Sequence, residues 1–131
     1  EATALAIALG SEKQMANTFK VITRDVAPAS AGTPETLYTV QSGSTLVILG
    51  LNLTNVHTSQ VTASVTLVST TTQSSQTQNT TAYLVKDVPI PAGSALSILD
   101  GKIIANVGDI IKVDCSVADK VSVVMSYMEQ T

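Results

Sequence analysis

The chain has 131 residues, a net charge of −3 at pH 7 and a sequence pI near 4.8, with 13% charged and 3% aromatic side chains. That is one domain's length, enough for a real core. An acidic balance with no Lys/Arg cluster excludes nucleic acid as a partner, because affinity for phosphate needs a basic patch.

The single cysteine, Cys115, excludes an intrachain disulfide and a cysteine-based zinc site. No apolar run approaches the roughly 18 residues of a membrane span, so no membrane partner is expected. Charged residues usually make up about a quarter of a chain. Here Ser and Thr together fill about that share instead. A hydroxyl-rich, Val/Ile/Thr-rich chain fits pleated sheet better than helix.

The first segment, EATALAIALG, sets Leu5, Ile7 and Leu9 alternately with Ala4, Ala6 and Ala8. This is a strand pattern with one bulky face, and it is also compatible with a short helix ending at Gly10. An acidic residue stands where a secretory signal would be basic, so it reads poorly as one. Residues 1–19 are expected to form an N-terminal arm and residues 20–131 a β-sandwich domain. Burying three such side chains is worth roughly 5–8 kcal/mol. Fixing about nine residues costs on the order of 9–18 kcal/mol of backbone entropy. The arm is therefore expected to order on an assembly partner, with Leu5, Ile7 and Leu9 as its interface residues, by adding a strand to a sheet edge.

Strand-like runs then follow at Lys20–Val26, Thr36–Val40, Leu46–Asn55, Val61–Thr70 and Thr81–Val88. APASAGTP, residues 27–34, is a small-residue loop. TTQSSQTQNT, residues 71–80, has no apolar residue and reads as an exposed loop or hairpin tip. Pro89 and Pro91 disfavour a central strand, and Ala92-Gly93 turns the chain. Ala95–Leu99 is a strand, Asp100-Gly101 is the strongest hairpin signal, and Lys102–Asn106 runs back. Ile110–Cys115 and Val121–Met128 complete about eight or nine short strands. The spacing predicts an all-β fold, an antiparallel sandwich or jelly-roll-like barrel. Its core should draw on Leu46, Ile48, Val65, Leu67, Leu96, Ile98, Ile111, Val113, Val121, Val123 and Met125. Gly43, Gly93 and Gly108 share one local form, a small or apolar residue, Gly, then Ser or Asp before a β-run, which reads as repeated strand-entry turns on one sandwich.

Little in the chain offers chemistry. His57 is the one histidine, in the polar link NVHTSQ, and no GxSxG elbow accompanies it. Six aspartates are scattered singly, without a calcium-loop spacing. Cys115 alternates onto the face of Val113 and Val117, as a small buried hydrophobe does. Tyr38, Tyr83 and Tyr127 fall within strand runs, where packing is their expected role, and the absence of Trp weakens a sugar-binding reading. Asn52-Leu53-Thr54 and Asn79-Thr80-Thr81 match the glycosylation sequon, which recurs by chance in a Thr-rich chain. No enzyme, cofactor or metal is expected.

From Met15 onward the chain carries a distinct order of features. MANTFKVITR reads like a natural start. TLYTVQSGSTLVILGLNLTN follows, then a long Thr/Gln loop, then YLVKDVPIPAGSALSILDGKIIANVGDIIKVDCSVADKVSVVMSYME. The glycine turns of the strand pair, the "PiPaGs-L" turn, the "GD-i-v" entry and the terminal "v-v-SyiE" together resemble small virion structural proteins of tailed bacteriophages, those of marine and cyanobacterial hosts in particular. The resemblance spans most of residues 15–131 and leaves residues 1–14 outside it. It implies a β-sandwich that coats or joins parts of a virion, as a capsid decoration or cement protein on the head surface. The partners it implies are the major capsid protein or another virion protein, and further copies of itself, as a trimer. A neck, baseplate, fibre-attachment or receptor-binding part is the alternative, as is a fibre subunit assembled by donor strands.

Overall fold

The computed structural model describes residues 16–69 and 80–131. Nine strands are formed among them: β1 (Asn17–Ala27), β2 (Glu35–Thr39), β3 (Thr45–Asn55), β4 (Val61–Val68), β5 (Thr81–Ile90), β6 (Ala95–Ser97), β7 (Ile103–Ala105), β8 (Ile110–Cys115) and β9 (Val121–Gln130). Their pairing is antiparallel throughout. Sheet A has the order β1-β9-β3-β6, with β7 also on β3, and sheet B has the order β2-β8-β4-β5. The chain crosses between the sheets at every connection except β4–β5 and β6–β7. With β6 and β7 taken as one interrupted strand, this is the eight-stranded jelly roll.

Alternation decides which side of each strand turns inward. Along β9, Val121, Val123, Met125, Tyr127 and Glu129 are buried, while the residues between them are half-buried or exposed. Along β8, Ile111, Val113 and Cys115 are buried in the same rhythm. Leu46, Ile48, Leu51 and Leu53 of β3 meet Val61, Ala63 and Val65 of β4 in the core between the sheets. Eight of the eleven expected core residues are buried. Leu67, Leu96 and Ile98 are partly buried and pack against the core from its margin.

The Asp100-Gly101 hairpin does not form. β6 pairs with β3 at Asn52–Thr54 and β7 pairs with β3 at Leu46–Ile48, so the two short strands lie end to end along one edge. Residues 98–102 are an interruption in a single strand. Gly101 is not among the positive-φ glycines, so the conformation the hairpin required is absent. Pro89 lies inside β5, which runs on to Ile90 opposite Val61. A proline is tolerated there because β5 is an edge strand of sheet B. β1 begins at Asn17, within the segment assigned to the arm, and Leu5, Ile7 and Leu9 lie outside the described residues, as does most of the Thr/Gln tract.

The strand-entry turns are more regular than the sequence pattern predicts. Gly43, Gly93 and Gly108 have φ of 80°, 73° and 87°. In each case the following residue donates its backbone N–H to the carbonyl three positions back: Ser44 to Gln41, Ser94 to Pro91 and Asp109 to Asn106. These are type II turns, whose third position favours glycine. A fourth, Ser30–Thr33 with Gly32 at φ 74°, sits in the small-residue loop before β2.

Candidate assembly surface

Two groups of polar residues first fix how the sandwich is closed. On the edge strand β1, Lys20 and Arg24 pair in register with buried Tyr127 and Val123 of β9, so both cations occupy inward positions at the open flank between the sheets. Arg24 donates to Glu35 Oε2 at 2.6 Å and to the Thr36 carbonyl at 3.1 Å, clasping β1 to β2 across the gap. Lys20 Nζ donates to Glu129 Oε1 at 2.7 Å, and the Tyr38 hydroxyl reaches Glu129 Oε2 at 3.3 Å. The rings of Tyr38 and Tyr127 stand 5.5 Å apart beside this carboxylate. Inward-pointing charge on an edge strand is one way proteins keep an edge from recruiting further strands.

The ion pair shifts its members' titration. The hydrogen bond from Lys20 is the chief cause that holds the Glu129 carboxyl below its usual range, against the opposing effect of burial. The Lys20 ammonium is raised by the same bond. Burial pushes the Tyr38 phenol up to about 12, helped by the neighbouring Glu129 charge.

The outer faces of the two sheets differ. On sheet B, Lys112 and Asp114 alternate with the buried residues of β8, and Lys86 lies over the Tyr83 ring at 5.0 Å. On sheet A, the paired outward ladder positions carry no charge: Asn17, Phe19, Val21 and Thr23 on β1, Ser122, Val124, Ser126, Met128 and Gln130 on β9, and Thr45, Val47, Asn52 and Thr54 on β3. Asp25, exposed in the β1 bulge beside Ser122, puts a carboxylate at one end of this face. One row across this face is apolar from edge to edge. Phe19 pairs with Met128, Met128 with Val47, and Val47 with Ile104. Phe19 is 73% exposed and Ile104 60%, large values for side chains of that size. Next to the row, Leu49 continues the outward phase of Thr45 and Val47, and the register shift between Ile48 and Gly50 then returns Leu51 to the core. Phe19, Val21 and Leu49 then wall a shallow depression of about 360 Å³ floored by Ser126, with Lys20 and Tyr127 between them.

Sequence reasoning missed this face. The signal was present in NTFKVIT, where Phe19 and Val21 occupy one strand phase and Ile22 the other, so apolar residues stand on both sides of one strand. The remaining sequence candidates lie apart from it. His57 is half-buried in the β3–β4 link, where its backbone N–H donates to Asn55 Oδ1 at 2.7 Å. Cys115 is buried in the core. Among the described residues, no three of His, Cys, Asp and Glu gather where they could hold a metal ion.

The fold and this surface define an all-β jelly-roll domain with one charged sheet face and one crossed by an apolar row. Comparison of the chain with family models, with curated proteins and with solved structures gives no match.

Proposed function

We propose that this protein is a non-enzymatic virion structural protein, a capsid decoration or cement protein that stabilises a phage head from its outer surface. The observation that carries the reading is the apolar row Phe19–Met128–Val47–Ile104, which crosses the charge-poor outer face of sheet A from edge to edge. A sheet face poor in charge that exposes large apolar side chains is built to be covered by another protein. The sequence resemblance to tailed-phage virion proteins supplies the setting, and the jelly roll is a fold shared by many capsid domains. The partners in this reading are the major capsid protein beneath and other copies of the chain alongside.

Quantitative mass spectrometry of purified virions tests it. A protein that follows the symmetry of the shell is present in hundreds of copies. A count near a dozen would place it at the neck, baseplate or fibre attachment, and absence from the particle would end the virion reading. Deleting residues 1–14 is expected to leave a folded sandwich that loads poorly onto particles, because the arm carries Leu5, Ile7 and Leu9.

A further inference from the structure

We infer that the outer face of sheet A pairs with the same face of a second copy of this chain, Phe19 of each copy entering the Ser126-floored depression of the other. The inference rests on the assembly reading of this face and names its occupant.

Two observations select a second copy. The centre of the face around Phe19 is almost free of charge. Lys20 at the depression is already paired with Glu129, and Asp25 stands at the far end of β1, so two copies meet there with little like-charge repulsion. Next, a projecting side chain stands beside a recess on one surface: Phe19 is the most exposed large hydrophobic residue of the described chain, and it walls the depression over Ser126. A two-fold axis passing between them puts each ring into the opposite recess, which is the self-complementarity an isologous contact requires. An aromatic anchor in a pocket is also the usual centre of binding energy.

Area sets the strength. Four strands about 4.8 Å apart, over some seven residues at 3.3 Å, give roughly 450 Å² per copy. The total, about 900 Å², falls below the 1,200–2,000 Å² of stable complexes and in the range of weak ones. The contact is therefore a concentration-dependent dimer in dilute solution. It becomes effective where copies are held side by side and the second contact is intramolecular in kind.

Analytical ultracentrifugation of the full chain and two variants decides the matter. Phe19→Ser removes the projection. Ser126→Leu fills the recess while adding apolar surface, so it separates shape-specific pairing from mere stickiness. The parent chain should move from 13.6 kDa toward twice that mass as its concentration rises through the micromolar range. Both variants should stay at the single-chain mass with unchanged thermal unfolding. The inference is overturned by a parent chain that remains monomeric, by Ser126→Leu associating as well as the parent or better, or by a trimer indifferent to both changes. It is also overturned if only a chain lacking residues 1–14 dimerises, since the arm would then be the cover. Loading of the same proteins onto virions keeps the two readings apart. A monomer that loads fails the inference alone, and a dimer that never loads fails the virion reading alone.

Discussion

The Asn55 carboxamide at the end of β3 donates to the Ile90 carbonyl at 2.8 Å, tying the last residue of a sheet A strand to the last residue of a sheet B strand. The same Nδ2 donates to the Ser59 carbonyl at 2.9 Å, and Oδ1 accepts the His57 backbone N–H. The Asn55 backbone adds two more bonds, donating to Ser94 and accepting from Gly93, both in the turn that enters β6. A fully buried side chain thus holds together two links and both sheets. Asn55→Ala would leave the buried Ile90 carbonyl without its donor, costly to leave unpaired, and would release the exposed Ser59 and half-buried His57 backbone groups that hold the β3–β4 link. The expected loss is about 3 kcal/mol, read as a fall of roughly 10 °C in Tm for a domain of this size. Asn55→Asp should be worse than Ala, because a carboxylate cannot donate and would face two carbonyls. Thermal unfolding of the three proteins checks the order.

On the acid side, Glu129 makes stability depend on pH in a defined sense. Its folded pKa is depressed, chiefly by the Lys20 hydrogen bond, so the folded state prefers the ionised carboxylate more than the unfolded chain does. That contribution is fully present above the unfolded value near 4.5 and is lost as pH falls through the lower folded value. Glu129→Gln should therefore differ most from the parent in Tm between about pH 6 and 9. The gap should narrow as both are taken below pH 4.5. A gap that stays constant down to about pH 2 would mean that the Glu129 charge contributes nothing.

On the alkaline side, Tyr38 carries the test. Its folded pKa is raised from 10 to about 12, so its contribution is complete below pH 10 and lost as pH rises through 12. Burial is the larger cause and the Glu129 charge the second. In Glu129→Gln the Tyr38 transition should move down yet remain above 10, because burial is unchanged. Tyrosinate absorbance, with Tyr38→Phe identifying the step, measures it. A midpoint at or below 10 in Glu129→Gln would mean that the carboxylate, and not burial, is what raises the phenol.

Strand positions were legible because the buried residues recur with period two, as in Val121–Glu129 and Ile111–Cys115. The sheet order was not, since the pairing of β1 with β9 joins residues far apart along the chain, Asn17 with Gln130 at one end, and no local pattern encodes it. The inward cations Lys20 and Arg24 defeated alternation for a related reason. Inward positions on an edge strand reach water at the open flank, so polar residues there do not mark an outer face. The apolar row on sheet A becomes visible only once β1, β9, β3 and β7 are placed side by side, which brings Phe19, Met128, Val47 and Ile104 into line.

Arg24 and Glu35 offer a modest coupling that a double-mutant cycle can resolve. Their 2.6 Å contact is partly exposed, with side chains 39% and 26% accessible. Pairs of this kind are worth about 0.2–1 kcal/mol and are screened by salt. Arg24→Met and Glu35→Gln, singly and together, should give an interaction energy below about 1 kcal/mol at low ionic strength. It should shrink further in 1 M salt, where the Debye length is about 3 Å. A coupling of several kcal/mol would show that the clasp is shielded from water.

Gly93 and Gly101 look alike in local sequence and differ in the backbone they require. Each follows a small or polar residue and precedes a β-run, yet only Gly93 has a positive φ, 73°. A Cβ built at either position meets nothing within 4 Å, so crowding does not distinguish them. Backbone conformation alone does. Alanine at Gly93 must adopt the left-handed region, at about 1–2 kcal/mol, while the turn must still present its N–H to the Asn55 carbonyl at 3.1 Å. Alanine at Gly101 has no such demand and narrows the unfolded ensemble, which is worth up to about 1 kcal/mol in its favour. Denaturant unfolding of Gly93→Ala should show a lowered midpoint with unchanged slope, and Gly101→Ala a midpoint equal to the parent's or higher. If Gly101→Ala is the more damaging of the two, residues 98–102 form the tight hairpin after all, and β6 and β7 are not one interrupted strand.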